Sequence, residues 1–232
     1  LYIKKGGKAM NARHEWKHEI RFADILALRS GLKAVMSPDP HAVNGRYEVR
    51  SLYFDSPADQ AFLDKVNGVD RREKFRIRYY NGDPSFVVLE KKSKRNGLCT
   101  KVQERMFLGE ARAASDGNLE KLAGCSRELM QELYCKMCCQ GLRPKTIVDY
   151  TREPFIYEPG NVRVTLDYHI RTGIHCIDFL DPDCMMVPVR DTPMILEVKW
   201  DAFLPSVIRD IIQIPGTHSA AFSKYAACRI YG

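Results

Sequence analysis

The sequence predicts an α+β fold, in which helices pack outside an antiparallel β-sheet that is curled or closed. Two observations carry this prediction. Five stretches alternate apolar with charged residues at a period of two, which is typical of strands with unlike faces. Turn signals between the strand patterns indicate hairpins, and hairpins impose antiparallel pairing. The five stretches are residues 13–20, 72–80, 87–94, 162–171 and 195–200.

In the first half of the chain, strand patterns alternate with short amphipathic segments. Ser56-Pro57 is a helix-start signal directly after a strand pattern, and Asn81-Gly82-Asp83-Pro84 is a strong turn signal between two strands. After the first strand, the elements predicted here are a helix at 24–33, a strand at 47–55, a helix at 58–63, a hairpin at 72–80 and 86–94, and a strand at 101–108.

The second half opens with a helical pattern and then returns to strands. Further helical patterns follow the last alternating stretch and end this half. The predicted elements are helical segments within 119–140, strands at 147–156, 162–171, 176–179 and 194–200, and helices at 206–212 and 219–230.

Length and charge limit the classes of protein that this chain can belong to. Its 232 residues contain 36 Lys and Arg against 29 Asp and Glu, a net charge of +7. This total fits an anionic partner and equally a surface that is basic for solubility, and the distribution of the charges has to decide. No linker divides the chain, so we expect residues 10–232 to form one domain and residues 1–9 to be an extension or vector-derived. No membrane span or signal peptide is recognisable, so a cytoplasmic location is expected.

Eight cysteines in such a chain are expected to be free thiols. Cys135 and Cys138 form a Cys-x-x-Cys pair, which can belong to a zinc site. A second ligand pair at suitable spacing is missing, however, and both residues fall inside a helical pattern where small soft side chains pack well. The sequence therefore favours cysteines that pack over cysteines that bind zinc.

The alternating strands carry an unusually basic face. An ordinary solvated face mixes signs, whereas this one repeats Arg and Lys with a single acid per strand, as expected for a surface that holds a polyanion. The opposite face is apolar at positions 77, 87, 89, 162, 164, 166, 196 and 198. The pattern alone leaves two arrangements open, in which the basic face either lines a channel or is solvated. The charged positions are Arg72, Lys74, Arg76 and Arg78; Glu90, Lys92 and Lys94; Arg163, Asp167 and Arg171; Glu197 and Lys199.

Three acids share one spacing, because Glu15, Glu90 and Glu197 each precede a lysine by two residues. The acid and the lysine then lie on the same strand face. A simple salt bridge explains each case taken singly. The repetition favours carboxylate ligands for Mg²⁺ or Mn²⁺, which bridge phosphate oxygens in phosphoryl transfer.

Several other chemistries are disfavoured. The chain has no P-loop, no dinucleotide-binding Gly-x-Gly-x-x-Gly and no Gly-x-Ser-x-Gly nucleophile motif. Nucleic acid is disfavoured as a partner because Tyr79, Tyr80 and Phe86 cluster at one hairpin and do not alternate with the basic positions.

Eight short motifs in order resemble the VTC domain, the polyphosphate polymerase domain of the vacuolar transporter chaperone complex and its bacterial relatives, within the triphosphate tunnel metalloenzymes. The resemblance covers about residues 13 to 230. The motifs are Glu15-x-Lys17, residues 51–55 (SLYFD), 76–80 (RIRYY), 89–92 (LEKK), 149–155 (DYTREPF), 163–167 (RVTLD), 195–199 (ILEVK) and 222–225 (FSKY).

The resemblance implies an antiparallel β-barrel tunnel of about eight strands with the charged face inside. It also implies transfer of the ATP γ-phosphate to polyphosphate with Mn²⁺ or Mg²⁺. Tyr150 should contact the substrate and Glu197 should hold the metal; Glu90 and Glu15 complete the predicted metal set. The implied tunnel residues are Lys17, Arg76, Arg78, Lys92, Arg152, Arg163, Lys199 and Lys224, and the charged-face pattern adds Lys94, Lys101, Arg105 and Arg171 as substrate-binding residues.

Two departures from the family pattern affect the predicted function. The hydrolase branch has Glu-x-Glu-x-Lys on the first strand, and here Arg13 replaces the first acid. On the strand after the hairpin, Gln103-Glu104-Arg105 replaces Lys-x-Arg, so a phosphate contact is weakened or moves to Lys101. The leading hypothesis is a polymerase that uses ATP and polyphosphate or inorganic phosphate and pyrophosphate. A tripolyphosphate or nucleoside triphosphate hydrolase and a non-catalytic polyphosphate-binding module are alternatives. We expect no membrane segment, and a membrane partner is possible.

Overall fold

The computed structural model describes residues 13–96, 98–173, 176–190, 193–215 and 222–230. The predicted extension at residues 1–9 and the beginning of the helix predicted at 219–230 lie outside these ranges. The strands are β1 (His14–Ile20), β2 (Ser37–Pro38), β3 (Tyr47–Asp55), β4 (Arg72–Tyr80), β5 (Asp83–Arg95), β6 (Leu98–Met106), β7 (Arg143–Tyr157), β8 (Val162–Thr172), β9 (Val187–Pro188) and β10 (Met194–Trp200). The helices are α1 (Phe22–Val35), α2 (Gln60–Val66), α3 (Leu108–Ser115), α4 (Leu119–Leu122), α5 (Glu128–Gln140), α6 (Ser206–Ile212) and α7 (Lys224–Ile230).

The chain divides into two compact units, each assembled from three segments. The first unit comprises Leu1–Glu48, Tyr150–Ile170 and Arg190–Phe222, and the second comprises Val49–Asp149, Arg171–Val189 and Ser223–Gly232. The expectation of one domain over residues 10–232 stays a prediction.

In the first unit, the strands follow the order β1-β10-β8-β7, and β1, β10 and β8 pair antiparallel. Apolar side chains of α1 and α6 cover one face of these strands. The two helices approach closely at Gly31, where an added Cβ would lie 3.0 Å from a side-chain carbon of Ile211. This glycine therefore permits helix packing and does not end α1. The buried cluster includes Ile25, Leu28, Leu32, Val164, Leu166, Leu196, Val198 and Ile208.

In the second unit, the order is β7-β3-β4-β5-β6, and β3 to β6 pair antiparallel. Helices α3, α4 and α5 cover one face, so the predicted arrangement of helices outside an antiparallel sheet is confirmed. The buried cluster includes Leu52, Phe54, Phe75, Ile77, Leu89, Ala111, Leu122, Leu129, Met130 and Leu133.

Burial decides between the two arrangements that the sequence pattern left open. All eight apolar positions of the alternating strands are buried, as a core-facing side requires. The centre of the charged face is also enclosed, because Arg76, Arg78 and Glu90 are only 7%, 3% and 2% exposed. A solvated charged face is therefore excluded at these positions.

Helix α2 and strand β6 differ from their predicted bounds for local reasons. Helix α2 starts at Gln60 because the Asp55 carboxylate accepts hydrogen bonds from the backbone of Ala61 and Phe62, at 2.8 and 3.0 Å. The strand predicted to end at Leu108 ends at Met106. There the Glu110 carboxylate accepts from the Phe107 N–H at 2.8 Å and starts α3, which the sequence analysis missed.

The strand predicted at residues 176–179 is wrong. Its backbone makes short-range turns, in which the Cys176 N–H donates to Gly173 and the Phe179 N–H donates to Ile177, both at 2.7 Å. Cys176 and Cys184 form a disulfide across this loop, so the expectation of eight free thiols is wrong for two cysteines. No helix in the described ranges combines the length and apolar character needed to cross a membrane.

Candidate functional site

Strand register places the basic side chains of the second unit on one face. Arg76 lies opposite Glu90 and Tyr53, and Arg78 lies opposite Ser51. Directly opposite residues of an antiparallel pair share a face, so β3 to β6 contribute to one surface. On β4 to β6 this surface, here called the second charged face, carries Arg72, Lys74, Arg76, Arg78, Glu90, Lys92, Lys94, Lys101, Gln103 and Arg105.

Glu90 is the centre of the second charged face. Its carboxylate accepts from Arg76 Nε at 2.6 Å and pairs with Lys101 Nζ at 2.9 Å and Arg78 Nη1 at 3.9 Å. Burial alone would raise the pKa of this acid. The charges of Arg76 and Arg78 outweigh that effect, so the pKa of Glu90 lies well below its usual range and the carboxylate is ionised.

A chain of buried contacts connects this face to α7. Arg76 Nη1 donates to the Tyr53 hydroxyl at 2.7 Å, and the Tyr53 ring stacks on Tyr225 with centroids 4.8 Å apart. The Tyr225 hydroxyl donates to the Asp55 carboxylate at 2.6 Å. Burial, followed by this hydrogen bond, raises the pKa of Tyr225 far above its ordinary value. These contacts fix the first turn of α7, where Lys224 is the first residue.

In the first unit, two acids and two lysines form a four-membered charge cluster across β1 and β10. Lys17 bonds to Glu15 and lies 3.2 Å from Glu197, and Lys199 lies 3.2 Å from Glu197 and 3.5 Å from Glu15. The register explains the cluster, because Glu15 lies opposite Lys199 and Lys17 opposite Glu197. Burial would lower the pKa of Lys17, but Glu197 and Glu15 outweigh it and raise the pKa, so this lysine stays charged.

Beside this cluster, Arg152 and Arg163 extend the charged surface of the first unit. Arg152 pairs with the buried Asp167, and its guanidinium lies 5.4 Å from the centre of the Tyr150 ring. Arg163 Nη2 pairs with the buried Asp39 at 3.0 Å. We call Glu15, Lys17, Arg152, Arg163, Asp167, Glu197 and Lys199 together the first charged face.

Comparison with known proteins decides the family. The family model of the VTC domain matches residues 12–230. The chain belongs to the VTC domain family. A comparison with curated protein sequences finds no significant match.

Two solved structures share the fold of this VTC domain. One is the candidate adenylyl cyclase HpAC1 from Hippeastrum, described as having a dominant triphosphatase activity. It superposes with a TM-score of 0.57 at 13% identity over 94% of this chain and 96% of that one. The other, a candidate adenylate cyclase from Bacillus halodurans, gives a TM-score of 0.51 at 15% identity over 82% and 80%. The predicted α+β triphosphate tunnel type of fold is thereby confirmed.

Two predicted site residues, Arg105 and Arg171, lie away from the buried ion pairs of the two charged faces. Arg105 belongs to the second charged face but is exposed, with its guanidinium 5.0 Å from the centre of the Phe86 ring. Arg171 lies 3.4 Å from Asp149, an acid held by Arg50. His169, between Asp167 and Arg171 on β8, has a left-handed backbone conformation with φ 51°. The expectation that Arg171 binds substrate stays a prediction.

Other predicted residues keep their expected faces at the margins. Lys92 lies opposite Lys74 and Lys101, so it extends the second charged face, and Lys94 lies opposite Arg72 near its end. Lys101 Nζ lies 2.9 Å from the Glu90 carboxylate, so Lys101 belongs to the same group of ion pairs as Arg76.

The sequence analysis missed residues that hold the basic groups in place. Asp39 is 5% exposed and pairs with Arg163, although it lies in a short turn with no family motif. Ser51 and Tyr53 accept hydrogen bonds from Arg78 and Arg76. Both lie in the quoted SLYFD motif, and reading this strand at a period of two would have placed them on the charged face.

The three acids predicted as metal ligands have the donor chemistry that Mg²⁺ and Mn²⁺ prefer. Each carboxylate, however, is already paired with at least two cationic side chains. Across the described ranges, no group of three or more His, Cys, Asp or Glu side chains is arranged to hold an ion. Glu15, Glu90 and Glu197 as arranged therefore do not fit a resident metal ion.

Proposed function

We propose that this VTC domain is a polyphosphate polymerase, which transfers the γ-phosphate of ATP to the end of a polyphosphate chain. The observation that carries the proposal is the enclosed excess of positive charge on the second charged face. On β4 to β6, Glu90 is the single acid among eight basic side chains. Arg76 and Arg78 are nearly inaccessible to solvent, so a compact chain of phosphates fits better than a nucleic acid duplex.

The residues of this chain would act by position and charge. Arginine forks bind two phosphate oxygens at once, and a fork held by Tyr53, Ser51 or Asp167 is already oriented. The attacking group of the acceptor chain is an ionised phosphate oxygen, which needs little help from a base. Catalysis then depends on cations that stabilise charge on the transferred phosphoryl group.

Divalent metal enters this proposal with the substrate, as the Mg²⁺ or Mn²⁺ complex of ATP. The acids of the two charged faces keep their own basic partners in place. Inorganic phosphate or pyrophosphate would serve as the starting acceptor.

A triphosphate hydrolase is the second candidate, because the Hippeastrum protein of the same fold is described with a dominant triphosphatase activity. The residue at position 13 favours the polymerase. The hydrolase branch carries a first carboxylate there, whereas this chain has Arg13, whose Nε pairs with Asp201 at 2.8 Å. Residue 13 itself therefore supplies a cation and no carboxylate.

Product analysis separates the two candidates. The protein is incubated with ATP and Mn²⁺, and ADP, free phosphate and long polyphosphate are measured. A polymerase yields ADP with long chains, whereas free phosphate without long chains would contradict the proposal and support a hydrolase. We expect Arg76→Ala to reduce chain synthesis at least about 100-fold. The matched control is Arg112→Ala, which removes an exposed arginine on α3 and should leave synthesis unchanged.

A further inference from the structure

Thr165 lies within the first charged face and carries a hydroxyl without a hydrogen-bond partner. On β8 it lies between Arg163 and Asp167 on the same face, directly opposite Glu197 of β10. Its side chain is 3% exposed, and in the described part of the chain its Oγ1 makes no hydrogen bond. Buried hydroxyl groups almost always have a partner, because an unsatisfied one lowers stability.

The neighbouring acids do not satisfy this hydroxyl because basic side chains already occupy them. Oε1 of Glu197 lies 3.2 Å from each of two lysines, and its Oε2 lies 3.4 Å from Arg152. Both oxygens of Asp167 accept from Arg152 at 2.7 Å. The hydroxyl of Thr165 is therefore a spare donor among cationic groups, which is where an incoming anion would bind.

We propose that Thr165 donates a hydrogen bond to a non-bridging oxygen of a substrate phosphate bound at the first charged face. This inference rests on the proposed function, since it assumes a substrate with phosphate groups. Phosphate oxygens are strong, charged acceptors, and an O–H donor to them gains more than one to a neutral acceptor. Threonine is branched at Cβ and stiff at χ1, so the hydroxyl is held in position before the substrate arrives.

A structural role for Thr165 makes the opposite prediction. If the residue only fills space, valine of the same shape replaces it without loss, and removal of an unpaired hydroxyl is neutral or stabilising. Thr151 on β7 provides the matched control. It is 5% exposed, but its hydroxyl lies 3.1 and 3.2 Å from the two oxygens of Glu48. Thr151→Val therefore makes the same chemical change at a paired hydroxyl.

The test is titration calorimetry with inorganic tripolyphosphate in the presence of EDTA, together with urea unfolding of each variant. Thr165→Val should raise the Kd at least about 10-fold with unfolding unchanged or shifted to higher urea. Thr165→Ser should recover most of the affinity. Thr151→Val should lower stability and keep the Kd of the wild-type protein.

The outcomes separate this inference from the proposed function. If Thr165→Val binds tripolyphosphate as tightly as the wild-type protein does, the role of Thr165 is overturned and the proposed function stands. Wild-type protein that binds tripolyphosphate neither in EDTA nor in the presence of Mg²⁺ would overturn the proposed function, and the role of Thr165 with it. If Thr165→Val does not fold, the comparison of Thr165→Ala with Thr165→Ser decides, and equal Kd values for these two contradict the inference.

Discussion

Arg152 and Asp167 form a bidentate pair in the interior of the first unit. Nε donates to Oδ1 and Nη2 donates to Oδ2, both at 2.7 Å, and the Asp167 side chain has no exposed surface. Burial would lower the pKa of Arg152, but the charge of Asp167 outweighs it and raises the pKa well above the ordinary value. The pair keeps both groups charged and fixes the plane of the guanidinium beside the Tyr150 ring.

The first prediction concerns this pair. Asp167→Asn should lower the free energy of unfolding by about 3 kcal/mol, because it leaves the Arg152 charge buried beside Glu197, a more distant carboxylate at 3.4 Å. Urea unfolding measures the loss. Asp210→Asn, at an exposed position of α6, is the control for the same substitution. A loss below about 1 kcal/mol would put the pair in the class of surface ion pairs and contradict its structural role.

The second prediction is the acid sensitivity that Glu90 confers. The pKa of Glu90 is lower in the folded than in the unfolded protein, so its ion pairs stabilise the fold at neutral pH. That stability is present above the ordinary pKa of a glutamate, about 4.3, and is lost as the pH falls towards the folded value. The stability difference between wild-type protein and Glu90→Gln should therefore shrink between pH 6 and pH 3.

Urea unfolding at each pH measures this difference. The variant Arg76→Met removes the cation that lowers the pKa of Glu90 most. In the Arg76→Met background, the free energy of unfolding that Glu90→Gln costs should therefore depend less on pH. If the wild-type protein exceeds Glu90→Gln in free energy of unfolding by the same amount from pH 6 to pH 3, the pKa of Glu90 is not lowered by folding.

The sequence predicted the faces of the strands more accurately than the contacts between them. Strands β3 and β4 and helix α6 begin and end where predicted, because alternation and turn residues are local signals. The acid-x-lysine spacing placed Glu197 and Lys199 on one strand face, where they form the salt bridge that the sequence analysis gave as the alternative to metal binding. It did not predict the Lys101 partner of Glu90, since that contact depends on the register between β5 and β6.

Other parts of the site depend on single backbone or loop features that carry no periodic signal. His169 of β8 has a left-handed backbone conformation, and nothing in the alternation of the sequence marks it. Asp39 reaches Arg163 from a turn after β2, across a distance of 124 residues in sequence. Contacts of this kind follow from tertiary packing, which periodicity does not describe.

The third prediction concerns the attachment of α7. Tyr225→Phe removes the hydrogen bond to Asp55 and leaves one acceptor of a buried carboxylate less satisfied, so the free energy of unfolding should fall by about 1 to 2 kcal/mol. Because Lys224 precedes Tyr225 at the start of α7, chain synthesis from ATP should also decrease. Urea unfolding and product analysis measure the two effects. Tyr134→Phe on α5 is the control, and equal behaviour of both variants would contradict this role.

The fourth prediction tests whether lysines occupy the acids of β1 and β10. Lys17→Met leaves Glu15 and Glu197 with Lys199 as the shared lysine, so the cluster gains net negative charge. Affinity for Mn²⁺ without nucleotide should rise about 10-fold, while affinity for tripolyphosphate in EDTA should fall by a similar factor. Opposite shifts exclude general unfolding as the cause, since unfolding would weaken both.

Mn²⁺ binding is followed by electron paramagnetic resonance of the free ion, and tripolyphosphate binding by calorimetry. Lys121→Met, at an exposed position of α4, controls for the loss of one positive charge and should change neither affinity. If the wild-type protein binds Mn²⁺ at micromolar concentration without nucleotide, and Lys17→Met binds it no better, then Glu15 and Glu197 already form a resident metal site. The lysines would in that case be mobile partners that leave the carboxylates when the ion arrives, and the metal would belong to the protein and not to the nucleotide.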